Sequence, residues 1–597
     1  MCGQASARAT RRTDLRDSDA RALARPRSIE RQLEVQPRPD VKRLADAFVE
    51  RLRAAGVSHA FGISGGAIAV FMDAMRRGEI QVVHCRHESG AAFAATEYSL
   101  ATGRPAVVFT TTGPGLTNAV TGICAAQSEG ARIVLVSGAT AAERATSFPF
   151  QETIGSLSAL SSWAGNARAT DFVLCDGASV RAAARSVDSF AASAAGGVVR
   201  VLFPTSAQST ASDLGPASVG PGSRTRLMAV RPLDDRLIAR CAGALAKGTV
   251  VVWVGFGARG SGAVLRRLVE QNGWHVMSTP RGKGVFPESH SRYLGVTGLG
   301  GHDDATRFLR EHRPDCTLVL GTRLAEFTSF WSADYVPRRE FIHVDVDSSV
   351  FGRAYPDAAT FGVQASVDAF LHALETALPK TRGVVVPTRA SKRPPEVSTS
   401  SAAGIHPAAA MAAIQRVVVE RTDAIVMTEA GNTFAWGSRA LHFDSPRYRV
   451  STSFGAMGQA TAGVVGAAMA HGKAVAIVGD GAMLMNHEVS TAVQYGASAV
   501  WVVFNDAKFG MVEHGMRAVG MEPMETAIPP VDFAQIARAV GAVGIRVDEE
   551  RELEAALAQA IAECRPVVVD VRIDGSVPPP FGSRNASLRA QGIEVER

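Results

Sequence analysis

From residue 41 onward, short runs of consecutive apolar, often β-branched residues alternate with longer stretches whose apolar positions recur every three to four residues. The runs "PAVVFTT", "RIVLVSG" and "GVVRVLFP" lack polar alternation, which predicts strands buried on both faces of a parallel sheet. Stretches such as "VKRLADAFVERLRAAG" have helical spacing, so strand and helix alternate as in α/β folds. Two segments interrupt the pattern. "TSAQSTASDLGPASVGPGS" and "KTRGVVVPTRASKRPPEVSTSSAAG" are poor in large apolar residues and read as linkers. The expected architecture is three doubly wound, parallel-sheet α/β domains over residues 41–205, 230–379 and 405–575, preceded by a disordered Arg-rich tail over 1–40.

Composition agrees with several packed cores: of 597 residues, 46% are hydrophobic and 20% charged, which excludes disordered and fibrous classes. The formal charge is +6, but nine arginines against six acids in residues 1–40 supply half of it. The body is near neutral, so charge gives no argument for a nucleic-acid partner. Seven cysteines lie scattered without a C-x-x-C pair, which fits reduced thiols in a cytoplasm. No apolar run reaches the roughly 18–20 residues of a membrane span, and the N-terminus lacks the apolar centre of a secretory signal. These features predict a soluble, cytoplasmic protein acting on small molecules, away from nucleic acid and membrane.

The chemistry concentrates in "AVAIVGDGAMLMNHEVSTAVQYGASAVWVVFNDAKFGMV", residues 474–512. One buried strand ends at Gly479-Asp480-Gly481 and the next at Asn505-Asp506, so both acids emerge at carboxyl ends of parallel strands, where open α/β sheets bind ligands. Glycines beside Asp480 let the backbone approach an anion, and a hard oxygen pair suits Mg²⁺ holding a diphosphate. Taken singly, each acid is an ordinary turn residue; their placement 26 positions apart on two strand ends favours a shared site. In "TEAGNTFAWGSRAL", Gly431-Asn432 precedes a helix, so Asn432 and the helix N-terminus can donate to phosphate oxygens, or simply cap the helix. Met457 stands in the Gly-rich turn of "SFGAMGQATAGVVGAAMA", and Glu88 opens a small-residue helix after the strand-end "VVHCRHESG". Read alone, Met457 is a core residue and Glu88 a capping acid.

Together these segments resemble the thiamin-diphosphate-dependent enzymes, and most closely the acetolactate synthase (acetohydroxyacid synthase) group, over about residues 41–574. The resemblance implies pyrimidine-binding, middle Rossmann-like and diphosphate-binding domains in that order. It implies Mg²⁺ held by Asp480, Asp506 and the main-chain carbonyl of Lys508, with Asn505 as the alternative ligand because the group often has Asn at position 506. Gly481, Asn432 and Met511 become cofactor contacts, Met457 the wedge that keeps the cofactor folded, and Glu88 the acid facing its pyrimidine nitrogen. Glu88 then drives the ring amine to the imino base that activates the thiazolium. Gln151, in "FPFQETIG", becomes a donor to the bound keto acid. FAD stays open: "WVGFGARGSGA" has a Gly-rich turn after a strand, but of the group's flavin-site pattern only Arg323 survives in "TRLAEFTSF", and some members leave this domain empty.

The implied activity is carboligation: a pyruvate-like 2-keto acid loses CO₂, and the enamine adds to a second carbonyl to give an acyloin or acetolactate-type product. A non-ligating decarboxylase or lyase is the alternative, and an inactive regulatory homologue a remote one, since Glu88, Asp480 and Asp506 are all intact. A homodimer or homotetramer is expected, with the first domain of one subunit covering the third of its partner. The group carries a Trp where this chain has Gly515, which implies a wider acceptor site and a larger aldehyde or ketone acceptor. Beside it, Glu513 and His514 read most simply as a solvated helix face.

Overall fold

In a computed structural model, the described residues are 41–144, 147, 149–151, 169–193, 195–215, 233–378, 404–485, 488–582, 584, 587 and 592. The expected tail over 1–40, residues 216–223 of the first linker, all of the second linker but Gly404, and all but residues 149–151 of the "FPFQETIG" segment lie outside them; the start of the first linker is described and forms helix Thr205–Gln208. Among the described residues, the strands form three six-stranded sheets in which every pairing is parallel.

The first sheet contains β1 (His59–Gly62), β2 (Gln81–His84), β3 (Ala106–Thr110), β4 (Arg132–Ala139), β5 (Ala169–Val173) and β6 (Gly197–Pro204), in the spatial order 2-1-3-4-6-5. The middle sheet contains β7 (Val250–Val254), β8 (His275–Ser278), β9 (Tyr293–Val296), β10 (Cys316–Leu320), β11 (Glu340–Asp345) and β12 (Thr360–Gln364), in the order 12-11-10-7-8-9. Counted from its own first strand this is 3-2-1-4-5-6 reversed, the dinucleotide-fold order. The third sheet contains β13 (Ile425–Thr428), β14 (Tyr448–Arg449), β15 (Ala474–Gly479), β16 (Ala499–Asn505), β17 (Val543–Val547) and β18 (Val567–Arg572), in the order 14-13-15-16-18-17. The first and third sheets therefore share one topology. The central strands β3, β7, β10 and β16 are buried throughout, as continuous apolar runs require when helices cover both faces.

Small residues join the first and third modules. Helix Glu88–Thr102 packs on helix Gln459–His471 so closely that a Cβ on Gly466 would stand 1.8 Å from the Ala94 carbonyl oxygen and one on Gly463 2.8 Å from Glu97 Cγ. Any larger residue at Gly466 would push the helices apart. The middle module is tied to the third by Lys283, which is fully buried, lies 2.9 Å from the equally buried Glu288 and donates to the Ser438 carbonyl. Such a pair is strongly destabilising when one partner is removed, so it fixes how the loop after β8 docks.

The middle module's glycines have a local explanation. Gly255 and Gly257 follow β7 and meet Gly321 after β10: an added Cβ would lie 2.5 Å from the Gly321 oxygen or 2.8 Å from its Cα. Backbone crowding at the crevice between these strands accounts for both glycines by itself.

Candidate active site

In a 2-1-3 strand order the chain turns away in opposite directions from β13 and β15, which opens a crevice at their carboxyl ends. A pocket lies there. It is lined by residues between 407 and 577, among them Asn432, Met457, Asp480, Gly481, Asp506, Lys508 and Met511. Seven of the expected site residues thus converge in one place.

The two acids are delivered by strand ends. Asp480 follows β15 and is 2% exposed; its Oδ1 accepts its neighbour Gly481's N–H at 2.7 Å, while its Oδ2 is buried without a partner. Burial raises the Asp480 pKa, opposed by backbone N–H groups of Gly481, Ala507, Lys508 and Asp506. Asp506 follows β16 and is pushed up to about 7, chiefly by burial and then by the Asp480 charge. Two carboxylates that hinder each other's ionisation in a partly dry crevice have the hard oxygen chemistry that suits a divalent cation. Lys508 lines the same crevice with its ammonium 3.3 Å from Glu513. Asn505, by contrast, is absent from the lining: its amide donates to the Asp570 carboxylate at 2.8 Å and the Val531 carbonyl at 2.9 Å. Successive strand residues face opposite ways, so β16 points Asn505 into the core and the next residue, Asp506, into the crevice.

Opposite the acids, Gly431 (φ 137°) releases the chain from β13 into helix Asn432–Ala440, and Asn432 Oδ1 is buried without a partner. Glycines shape the floor. A Cβ on Gly510 would lie 2.9 Å from Asn432 Nδ2 and 3.0 Å from Asp506 Oδ2, and one on Gly575 2.8 Å from the same Asp506 oxygen. These positions keep room for a bulky anion and its metal, and the orphaned oxygens of Asp480 and Asn432 supply groups that such a ligand would engage. The residues present fit thiamin diphosphate with Mg²⁺.

Met457 sits between Gly455 (φ 64°) and Gly458 (φ 91°) and is 39% exposed. Its turn is pinned by Glu429, a residue the sequence reading missed. Glu429 follows β13, is 1% exposed, and its Oε2 accepts the N–H groups of Gly458, Ala460 and Thr461, each at 3.1 Å. The one sequence signal was an acid placed directly after a buried strand, in "IVMTEAGN".

Glu88 and Gln151 are not part of this lining. Glu88 is 6% exposed and is the first residue of helix Glu88–Thr102; Asn118 donates to its Oε2 at 3.2 Å. A Cβ on Gly115 would stand 3.4 Å from Glu88 Oε1. Gln151 (φ 56°) folds against the same turn: Thr112 Oγ1 donates to its Oε1 at 3.3 Å, and a Cβ on Gly113 would lie 3.1 Å from its backbone. Both residues therefore gather on the segment that follows β3, in the first module.

A second missed residue links the two modules. Glu488 is 1% exposed, and its Oε1 accepts the N–H groups of Arg86 at 3.0 Å and His87 at 3.1 Å, just before Glu88, while its Oε2 accepts from Thr491. A Cβ on Gly90 would lie 2.5 Å from Glu488 Oε1, so that helix turn requires glycine. Helix Gly510–Ala518 carries a further surprise: His514, expected on a solvated face, is 7% exposed, covered in part by Phe581 with ring centroids 6.4 Å apart.

Family models and known proteins match nearly the whole length of the chain. Residues 42–160 match the family described as thiamine pyrophosphate enzyme, N-terminal TPP binding domain; residues 238–374 match its central domain and 429–571 its C-terminal TPP binding domain. IlvB2 of Mycobacterium tuberculosis, whose name assigns it provisionally as an acetolactate synthase large subunit, is 30% identical over 90% of this chain and 99% of its own length. The acetolactate synthase isozyme 3 large subunit of Escherichia coli is 29% identical over 89% of this chain and 95% of its own. Among solved structures, benzoylformate decarboxylase from Polynucleobacter necessarius shares the fold with a TM-score of 0.78 at 17% identity, covering 90% of this chain and 100% of its own. The thiamine diphosphate-dependent 4-hydroxybenzoylformate decarboxylase of Rhodococcus jostii RHA1 gives 0.75 at 20%, covering 89% and 99%.

Proposed function

The chain belongs to the thiamine pyrophosphate enzyme family, in its acetolactate synthase-like group, and from that membership we propose a carboligase that takes a pyruvate-like 2-keto acid as donor and joins its acyl unit, after loss of CO₂, to a second carbonyl. Bound thiamin diphosphate supplies the carbon nucleophile this chemistry needs. The chain's residues bind, orient and handle protons around it. Asp480, Asp506 and the Lys508 carbonyl hold Mg²⁺; Gly481, Asn432 and the N-terminus of its helix receive the diphosphate; Met457 and Met511 form apolar walls. Glu88 would hold a proton facing the pyrimidine nitrogen of the cofactor, and Gln151 would donate a hydrogen bond to the keto acid. The observation that carries this reading is the pairing of buried Asp480 with half-buried Asp506 at neighbouring strand ends, the former with an oxygen unpartnered among the described residues.

The site needs a second subunit in this reading. Met457, Phe509 and Val512 line the pocket yet are 39%, 38% and 54% exposed, and Glu88 is absent from the lining. An apolar rim beside an incomplete site marks a protein interface. We propose a homodimer, or a homotetramer built from it, in which Glu88 of the partner subunit completes each pocket. The glycine positions in the middle module are explained by backbone crowding, so FAD is left out of the proposed mechanism. Among the described residues no helix is long and apolar enough to cross a membrane, and six described cysteines are free thiols, which supports the proposed cytoplasmic setting.

Chelation followed by reconstitution tests the cofactor reading. Acyloin formation should vanish in excess chelator and return only with thiamin diphosphate and Mg²⁺ together; turnover that survives stripping would refute it.

A further inference from the structure

Gly515 stands four residues beyond Met511 on helix Gly510–Ala518, so it continues the helix face that lines the pocket. It is buried, yet among the described residues a Cβ built on it would meet a single atom within 4 Å, Arg584 Nη2 at 3.9 Å. The side chain missing at Gly515 leaves room, and a guanidinium borders it. Arg584 lies 5.4 Å from the centroid of Phe581 and 6.0 Å from that of Phe327, at the outer range of cation–π attraction. Its Nη1 is buried with no hydrogen-bond partner, and among the described residues no carboxylate forms an ion pair with it. Burial lowers its pKa, opposed by the charge of Glu326.

His514, the preceding residue of that helix, packs on the same Phe581 ring, and its Nε2 is also buried without a partner. The nearby acid Glu513 is committed to Lys508 at 3.3 Å and Arg517 at 3.2 Å. A half-buried guanidinium whose Nη1 has no hydrogen-bond partner among the described residues is costly unless a ligand supplies an acceptor.

We propose that Arg584, aided by His514, forms an anion-recognising subsite opposite Gly515 that seats a carboxylate on the tail of the acceptor, away from its reacting carbonyl. This rests on the carboligase reading, and it makes the room at Gly515 selective for acidic acceptors where a purely apolar widening would favour neutral ones. A planar guanidinium pairs with a carboxylate through two parallel N–H bonds, which the unpartnered Nη1 and the Nη2 facing Gly515 can supply.

The test uses pyruvate as donor with 4-oxobutanoate or butanal as acceptor, and succinate binding by calorimetry as a readout independent of turnover. In R584M the ratio of kcat/KM for 4-oxobutanoate over butanal should fall by about tenfold or more, the worth of one charge-assisted hydrogen bond, with R584K between the two. Succinate should bind the wild type and lose about the same factor in R584M. A ratio unchanged in both variants, or succinate binding equal in wild type and R584M, overturns the subsite. Arg584-dependent succinate binding in a protein that ligates no acceptor would uphold the subsite and sink the carboligase reading instead.

Discussion

Glu488 Oε1 accepts the backbone N–H of Arg86 at 3.0 Å, so a buried acid of the third module grips the turn that launches Glu88. Removing it strands two N–H groups, each costing about 1–3 kcal/mol when buried. Glu488→Ala should lower the unfolding midpoint and reduce kcat far more than thiamin diphosphate affinity, because Glu488 is outside the pocket lining. Glu488→Gln keeps one acceptor oxygen and should recover most of the loss. Equal damage to cofactor affinity, followed by Trp436 fluorescence at the pocket wall, would contradict this placement.

Glu88→Gln should abolish turnover while leaving the fold and cofactor binding in place, since the metal and diphosphate residues lie in another module. Mixed with inactive Asp480→Ala subunits, it should regain activity, because a hybrid dimer contains one site with both Glu88 and Asp480 intact. Complementation that fails although the subunits exchange would argue against a shared site.

Asp480→Ala and Asn505→Ala should separate binding from stability. The first removes a pocket carboxylate and should weaken Mg²⁺ and thiamin diphosphate binding by orders of magnitude. The second leaves Asp570 without its amide donor and should cost about 1–3 kcal/mol of stability with a much smaller change in metal affinity. The reverse ranking in a metal titration would restore Asn505 as the ligand.

Glu97 is buried at the helix contact between first and third modules, 3.9 Å from Arg449, and burial pushes it up to about 7 against the pull of that arginine. Between pH 4.5 and about 7 the folded chain keeps this proton and the unfolded chain releases it, so rising pH favours unfolding across that window. The slope is at most about 1.4 kcal/mol per pH unit and ends once both states are ionised. Urea midpoints of Glu97→Gln relative to wild type should therefore climb from pH 5 to 7 and then level; a flat difference would show that Glu97 is ionised throughout.

The three α/β units were legible because buried strands such as "AVAIVG" and "AVWVVFN" are unbroken apolar runs. The shared order of the first and third sheets was not, since strand order depends on which way each crossover turns, and spacing carries no record of it. Asp480 and Asp506 could be picked out because glycines and strand ends frame them, whereas Asn432 and Met457 stood out only through the family resemblance. Glu429 and Glu488 could not, because they serve by accepting main-chain N–H groups up to 32 and 402 positions away, and any residue type can donate those. His514 was misjudged for a related reason: the cover over its helix includes Phe581, more than sixty residues later.

Carbon-13 NMR of the products made from labelled pyruvate plus an acceptor, with metal-free protein and then with Mg²⁺ and thiamin diphosphate restored, separates the possible activities most directly. The expected spectrum shows the labelled two-carbon unit bonded to the acceptor carbon, with release of labelled CO₂, only in the restored sample. Labelled acetaldehyde without a new carbon–carbon bond would make the protein a simple decarboxylase, and product formed without the cofactor would remove thiamin diphosphate from its chemistry.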